Sequence, residues 1–160
     1  MALIPLIRQD KKSTLCAMVD DSDYEFLNQF DWTYYKRKKR LEYAIAWING
    51  KSVRMHKLIM GLPPEPGLTV DHINGDRLDN RRMNLRWATR QQQCANRSKI
   101  EGSSSKYRGV YWDSHEKIWR AEISGRKLGC YYDEVEAAKV YNKIAKKRYG
   151  EFAKLNIIED

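Results

Sequence analysis

The chain is poor in cysteine and has no long apolar run. Its three cysteines, Cys16, Cys94 and Cys130, lie far apart and none forms a Cys-x-x-Cys pair, so a structural zinc site is not expected. The odd count and the lack of a secretion signal argue for reduced thiols and a cytoplasmic protein. No apolar stretch approaches the roughly 18 residues of a membrane span, so the sequence predicts no membrane contact.

Acidic residues are too few to balance the basic ones. Lysine and arginine number 30 against 21 aspartates and glutamates, which gives a net charge of +9 and a pI near 9.5. A balance of this sign favours polyanionic partners, and nucleic acid is the first candidate. The alternative, a basic protein with no polyanionic partner, is left open by charge alone.

A short polar stretch divides the chain into two parts. Residues 98–106 are small and polar and lack hydrophobic periodicity, which is typical of a flexible linker. We therefore predict a first domain over residues 1–98, a linker over 99–106 and a second domain over 107–157. Both domains are basic, so either could contact a polyanion.

Short strand and helix signals fill the first domain. Apolar runs predict strands at 15–19, 32–35 and 43–47, and a helix capped by Ser22 is expected over 23–30. A basic run lies between the second and third of these strands. It is either a solvated hairpin tip or a phosphate-contacting loop. The run consists of Lys36, Arg37, Lys38, Lys39 and Arg40.

A second hairpin is expected directly after these strands. Asn49-Gly50 is typical of a two-residue turn and leads into a predicted strand at 53–56. Residues 57–60 then form a short helix or the end of a strand.

A carboxylate and an imidazole stand side by side in the middle of the chain. A strand predicted at 68–70 delivers Asp71 and His72, and residues 84–87 form the returning strand. An adjacent Asp and His can divide the work of metal-assisted hydrolysis, the Asp holding a divalent cation and the His taking a proton from water. In a strongly basic chain, the expected ester is a phosphodiester.

The residues around this pair resemble the HNH endonucleases of phage and intron-encoded homing type. A helix expected over 90–96, opened by a Thr-x-x-Gln capping box at Thr89, completes a hairpin with one helix across it. The resemblance implies a ββα-metal nuclease domain over nearly all of 1–98. It rests on His56-Lys57-Leu58-Ile59, Val70-Asp71-His72-Ile73-Asn74-Gly75-Asp76, Leu78-Asp79-Asn80-Arg81 and Asn84-Leu85-Arg86-Trp87-Ala88-Thr89.

The resemblance also implies roles for individual residues. Asp71 would bind the metal, His72 would be the general base, and Asn84 would hold the loop by hydrogen bonds to backbone. The second metal ligand of the family falls on Gln93, where Asn or His is usual, with Asn96 as a fallback. Oxygen ligands of this kind suit Mg²⁺, and Mn²⁺ is expected to substitute.

His56 is open to two interpretations. It either supports the site from a neighbouring strand or packs in the core. His115 stands in a polar turn and is expected to be an ordinary surface residue.

The second domain shows alternating apolar and polar positions. Strands are predicted at 107–112, 117–123 and 126–132, followed by a helix that Asp133 caps and Gly150 ends. This pattern predicts a three-stranded antiparallel sheet packed on one helix, so the whole chain is α+β. Trp119, Ala121 and Ile123 are expected on the inner face, and Ile118, Arg120 and Glu122 on the outer one.

This part of the chain resembles the plant ethylene-response-factor, or Apetala-type, DNA-binding domain. The matching text is Tyr107-Arg108-Gly109-Val110, Trp119-Arg120-Ala121-Glu122-Ile123, Leu128-Gly129, Glu134 to Ala138 with Tyr141, and Lys154-Leu155-Asn156. The resemblance implies that the sheet enters the major groove of DNA. Arg108 carries over as a DNA contact, whereas Tyr111, Ser124 and Lys127 replace residues usual in the plant domains, so the plant recognition sequence does not transfer. The chain's own basic and aromatic residues add Trp112, Lys117, Arg120 and Arg126, and the predicted DNA-contacting set also includes Tyr111 and Lys127.

Together these features predict a metal-dependent DNA endonuclease of homing type, targeted to a preferred site by its second domain. We expect double-stranded DNA as the partner, no obligate protein partner, and a monomer on DNA in a bacterial or phage-infected cell. One alternative is a DNA-binding regulator built on a catalytically decayed nuclease, which Gln93 keeps open. Another is an RNA-binding protein.

Overall fold

The structure, a computed structural model, describes residues 1–7, 15–34, 43–97 and 102–158. The described chain is a mixture of small antiparallel sheets and short helices. It separates into two units, Met1–Arg90 and Gln91–Asp160. None of the described helices has the length and apolar character needed to cross a membrane.

The N-terminal sheet consists of strands β1 (Ala2–Leu6) and β2 (Leu15–Val19), which pair antiparallel. Alternate side chains face the core, so that Ile4 and Leu6 of β1 are buried with Ala17 and Val19 of β2. The expected strand at 15–19 is confirmed.

Helix α1 (Asp21–Leu27) is shorter and earlier than the predicted helix over 23–30. Its cap position is Asp20 rather than Ser22. The Leu27 carbonyl accepts a hydrogen bond of 2.8 Å from the indole nitrogen of Trp32, and Phe30 donates its amide to the same carbonyl at 3.2 Å. These bonds use the acceptor that the next helical turn would need, so the helix ends there.

The next sheet consists of β3 (Thr33–Tyr34), β4 (Ala44–Ile48) and β5 (Lys51–Arg54), in that order. The hairpin predicted at Asn49-Gly50 is confirmed. Both residues have positive φ, +49° and +72°, which is the conformation that a two-residue type I′ turn requires.

Helix α2 (Met55–Met60) follows β5 without a loop. The predicted strand at 53–56 is therefore wrong for Met55 and His56, which are helical. The helix forms because Met55 and Ile59 recur at a spacing of four and are both buried in the core of the first unit.

Strands β6 (Thr69–His72) and β7 (Leu85–Ala88) form the central hairpin. The strand extends beyond the predicted 68–70, so Asp71 and His72 lie within it, opposite Arg86 and Leu85. A short 3-10 turn, Arg82–Asn84, leads into β7, and helix α3 (Arg90–Ala95) follows β7.

The second unit contains strands β8 (Val110–Asp113), β9 (Ile118–Ile123) and β10 (Arg126–Tyr131), with β9 in the middle, and helix α4 (Glu134–Tyr149). The Asp133 side chain caps α4 by accepting from the Glu136 amide at 2.8 Å, as the sequence predicts. Helix and sheet share an apolar core whose buried members include Val110, Ala121, Ala137 and Ala138.

The division between the units falls just after the start of α3, and the domain bounds 1–98, 99–106 and 107–157 stay a prediction. The end of α3 is tied to the second unit by hydrogen bonds. The Arg108 guanidinium donates to the carbonyls of Cys94 and Arg97, and Lys154 donates its amide to the Ala95 carbonyl. Arg108 therefore acts here at the C-terminal end of a helix, where carbonyl groups lack intrahelical partners.

Candidate active site

Asp71 lies in the centre of β6 with its side chain 11 % exposed. Its register partner on β7 is Arg86, and the Arg86 guanidinium forms an ion pair of 3.2 Å with Asp71 Oδ2. The cross-strand pair compensates a carboxylate that is largely removed from water. The hairpin thus holds this carboxylate at a fixed position beside a guanidinium.

The loop between the two strands is held by a network of side chains. Asn84 accepts the Asn74 amide at 3.0 Å and donates to the Asp79 carbonyl at 2.8 Å. Asp79, which is 1 % exposed, accepts two hydrogen bonds from the Arg81 guanidinium, one from the Arg81 amide and one from the Asn74 side chain. The Arg81 guanidinium holds the pKa of Asp79 below its usual range, so this carboxylate stays ionised.

The same loop is joined to the N-terminal sheet. The Met18 amide donates to the Leu78 carbonyl, and the Asn80 amide donates to the Met18 carbonyl, both at 2.8 Å. The loop therefore extends strand β2 by backbone pairing. This connection was not predicted, because Met18 and residues 78–80 are far apart in sequence and carry no pairing signal.

His72 is 5 % exposed and its ring is positioned by Asn80. Nε2 of His72 lies 3.3 Å from Oδ1 of Asn80, while Nδ2 of Asn80 donates to the Leu78 carbonyl at 3.2 Å. The Leu78 carbonyl fixes which end of the amide faces His72, so an oxygen meets Nε2. Nε2 then carries the proton, and the lone pair of the neutral ring is on Nδ1.

His72 packs among aromatic rings from other elements. Its ring centroid lies 5.1 Å from that of His56 on α2 in an edge-to-face arrangement, and 6.2 Å from that of Tyr43. The Tyr43 and His56 centroids are 5.0 Å apart. His56 thus contacts the candidate base from a helix rather than from the neighbouring strand considered above.

Both imidazoles are neutral at physiological pH. Burial lowers the pKa of His56 to about 3, with smaller contributions from the neighbouring His72, which disfavours a second charge, and from the cations Arg54, Lys57 and Arg77. Burial also lowers the pKa of His72, which the hydrogen bond to Asn80 partly opposes. A neutral His72 can accept a proton, as a general base must.

Two guanidinium groups lie over the Tyr43 ring. Cζ of Arg77 is 4.7 Å from the ring centroid and Cζ of Arg54 is 5.0 Å from it, within the range of a cation–π interaction. Arg54 is exposed, whereas Arg77 is half-buried. Arg77 also has a buried Nη1 with no hydrogen-bond partner in the described part of the chain.

The chemistry of the predicted ligands, the Asp71 carboxylate and the Gln93 amide, fits a hard divalent cation. Among the described residues, no group of three or more His, Cys, Asp and Glu could hold a metal ion. One carboxylate with amide oxygens matches Mg²⁺, which keeps several of its waters, better than zinc, which takes three or four nitrogen and sulfur ligands. Gln93 lies half-buried on α3, and Asn96 is buried just after that helix.

The predicted DNA-contacting residues of the second unit fall into two groups. Arg120 is engaged in ion pairs, 2.7 Å to Asp113 and 3.1 Å to Glu116, so its charge is already compensated. Trp112 is the register partner of Trp119, which packs against the core, so Trp112 lies on that face of the sheet, although it is 39 % exposed. Also accessible are the exposed Lys117, Arg126 and Lys127 and the half-buried Tyr111.

The basic run of the first unit, Lys36, Arg37, Lys38, Lys39 and Arg40, lies outside the described residues. Its role as a phosphate-contacting loop stays a prediction. Among the described residues, sequence reasoning missed Asn80, Tyr43 and Arg77 as neighbours of the candidate base. Asn80 belongs to the motif that resembles the family, but its position in the sequence does not indicate a contact with His72. The contact forms because the loop folds back onto the strand, eight residues after His72.

Comparison with known proteins shows similarity over this segment and over most of the chain. A family model described as HNH endonuclease matches residues 58–95. A protein of Acanthamoeba polyphaga mimivirus, described as an uncharacterized HNH endonuclease, is 31 % identical over 153 residues, which cover 89 % of this chain and 75 % of the viral protein. No solved structure gives a significant match.

Proposed function

Because the chain belongs to the HNH endonucleases, we propose that it hydrolyses phosphodiester bonds of duplex DNA at a preferred site with the help of a divalent metal ion. The observation that carries the proposal is the Asp71-His72 pair on β6. A largely buried carboxylate stands next to a buried imidazole whose Nε2 is held by Asn80. The matched family segment, residues 58–95, contains all three residues.

His72 acts as the general base in this proposal. With Nε2–H bound to Asn80, Nδ1 takes a proton from a water molecule, and the oxygen of that water attacks the phosphorus. The bond from phosphorus to the 3′ oxygen breaks. Asn80 is a positioning residue, because it holds the ring in the tautomer that leaves Nδ1 basic.

Asp71 would hold the cation, and Gln93 stays the predicted second ligand. Bound Mg²⁺ would stabilise the negative charge that develops on the phosphate and on the leaving 3′ oxygen. Asn84 keeps the predicted supporting role, and its hydrogen bonds to Asn74 and Asp79 fix the loop that follows the pair.

We further propose that the second unit targets the nuclease to its DNA and that the enzyme is of homing type. The support for targeting is the exposed cations on and beside its three-stranded sheet, Lys117, Arg126 and Lys127. The homing type rests only on the resemblance of the motif around Asp71 and His72. A binding module on the same chain raises the effective concentration of DNA at the nuclease. Replacing Arg126 and Lys127 together by alanine should weaken DNA binding and reduce its salt dependence, without changing the cleavage rate at saturating protein.

The nuclease activity is tested by incubating the full chain with candidate target DNA and Mg²⁺. We expect cleavage by the wild-type protein, a loss of at least about 100-fold in His72→Ala, and no loss in His115→Ala, an exposed histidine in a surface turn. Intact DNA with the wild type, or equal cleavage by His72→Ala, contradicts the proposal. Mapping the ends on both strands distinguishes nicking from double-strand cutting.

The second candidate function is a DNA-binding regulator derived from a decayed nuclease. It is favoured by Gln93 at the predicted ligand position and by the ion pair that Asp71 forms with Arg86. Calorimetry with Mg²⁺ and Mn²⁺ in the presence of DNA separates the two. Saturable metal binding that Asp71→Asn removes supports the enzyme, whereas absence of binding supports the regulator.

A further inference from the structure

Arg77 differs from the other arginines of its segment. Three of them bind a carboxylate: Arg81 pairs with Asp79, Arg82 with Asp23 and Arg86 with Asp71, at 2.7 to 3.2 Å. Arg77 has no such ion pair within the described chain, and its Nη1 is buried without a hydrogen-bond acceptor. The nearby Asp76 carboxylate accepts the Leu78 amide instead.

A half-buried guanidinium that no carboxylate compensates costs free energy, because its charge is partly removed from water. The cation is held in place by its stacking on Tyr43, and the loop that carries it is fixed by Asn74, Asp79 and Asn84. The guanidinium is thus positioned before any partner arrives. This arrangement fits a group whose acceptor comes with the substrate.

The position of Arg77 relative to the candidate base indicates which acceptor that is. Both contact Tyr43, whose ring centroid lies 4.7 Å from Cζ of Arg77 and 6.2 Å from the centroid of His72. A planar guanidinium matches the oxygens of a phosphate and remains charged at any working pH. The substrate of the proposed reaction carries such oxygens at the bond that is cut.

We propose that Arg77 is a phosphate-binding residue of the active site, whose half-buried guanidinium donates to an oxygen of the DNA phosphodiester bound at His72. This inference rests on the proposed function and adds a contact that positions the substrate. Tyr43 serves as the platform that keeps the guanidinium oriented. Arg54 stacks on the same ring but is exposed, so it provides the matched comparison.

The first measurement is single-turnover cleavage of DNA that the wild type cuts. We expect Arg77→Gln to slow cleavage roughly 100-fold, the usual loss when one preorganised donor to the reacting group is removed. Arg77→Lys keeps the positive charge but not the planar array of N–H donors, so its cleavage rate should fall less than that of Arg77→Gln. Arg54→Gln should change the rate less than about threefold, because an exposed, screened charge contributes little. Equal rates for the wild type and Arg77→Gln would overturn the proposal.

The second measurement does not depend on cleavage. In a His72→Ala background, the affinity for uncut DNA is measured over a range of salt concentrations with and without Arg77→Gln. A plot of log affinity against log salt concentration has a negative slope, and loss of one phosphate contact should make it less steep by about 0.9. An unchanged slope contradicts the phosphate contact even if the protein proves not to be a nuclease, so failure of this inference and of the proposed function can be told apart.

A third arm covers the case in which Arg77→Gln does not fold. DNA with a neutral methylphosphonate at the cleaved position is bound by the His72→Ala protein. We expect weaker binding than to the natural phosphate, and a smaller difference between the two DNAs in the Arg77→Lys variant. Equal binding of the two DNAs overturns the proposal without recourse to a glutamine variant.

Discussion

The buried neutral state of His56 predicts how the stability of the protein depends on pH. His56 is 4 % exposed, and burial lowers its pKa from 6.5 in the unfolded chain to about 3 in the folded protein. The unfolded state therefore binds a proton at a pH where the folded state does not. The contribution of His56 to the stability of the folded protein is fully present above pH 6.5 and is lost progressively as the pH falls towards 3.

The size of the effect follows from linkage. Within this window, one additional proton on the unfolded chain lowers the free energy of unfolding by about 1.4 kcal/mol per pH unit. Between pH 7.5 and pH 4.5 the loss from His56 amounts to about 3 kcal/mol, a large part of the roughly 5–15 kcal/mol that stabilises an ordinary domain.

Urea unfolding followed by tryptophan fluorescence, repeated at half-unit steps from pH 7.5 to 4.5, measures this dependence. His56→Gln should be less stable than the wild type at pH 7.5 because a packed ring is lost. Its stability should then fall less steeply with acidification, and the two curves should converge at low pH. His115→Gln, a change at an exposed turn, should follow the wild type throughout. Parallel curves for the wild type and His56→Gln would refute the buried neutral histidine.

Three further outcomes are expected. Asp79→Ala should lower the free energy of unfolding by about 3 kcal/mol, because it leaves the half-buried Arg81 unpaired and releases the loop, and chemical denaturation measures it. Gly109→Ala should lower the free energy of unfolding by about 3 kcal/mol or more, since φ is +71° and a Cβ would overlap the Tyr141 ring. Gly125→Ala, at φ +78° in open space, should lower it by about 1 kcal/mol, and thermal unfolding compares the two variants. Chelation of divalent ions by EDTA should stop DNA cleavage and leave DNA binding largely intact, which gel shift and cleavage assays on the same samples can show.

Local patterns allowed much of the strand and turn content to be predicted. The alternation of buried residues in Leu15–Val19 and the left-handed pair Asn49-Gly50 are encoded within a few residues, so they could be recognised without the rest of the chain. The Asp133 cap of α4 is of the same kind. Element ends were less accurate, as at Leu27, because the Trp32 side chain, five residues further on, takes the carbonyl that would continue the helix.

The surroundings of the candidate base could not be predicted in the same way. Asp71 and His72 stood out because of their residue types and their neighbours in sequence. The contacts that define the chemistry of His72 come from three separate parts of the fold. Asn80 lies on the loop after β6, His56 lies on helix α2, and Tyr43 directly precedes strand β4. Such contacts depend on tertiary packing, and residue types alone do not reveal them.

The backbone pairing of Met18 with the loop after β6 has a consequence for dissecting this protein. Residues 58–95, the segment that matches the family model, do not include Met18, nor the Asp23 carboxylate that binds Arg82. Excised from the chain, that segment would lose two backbone hydrogen bonds and an ion pair that hold the loop beside the candidate base. The nuclease motif is therefore not a transplantable cassette: grafting it onto another scaffold requires a strand edge that takes the place of β2.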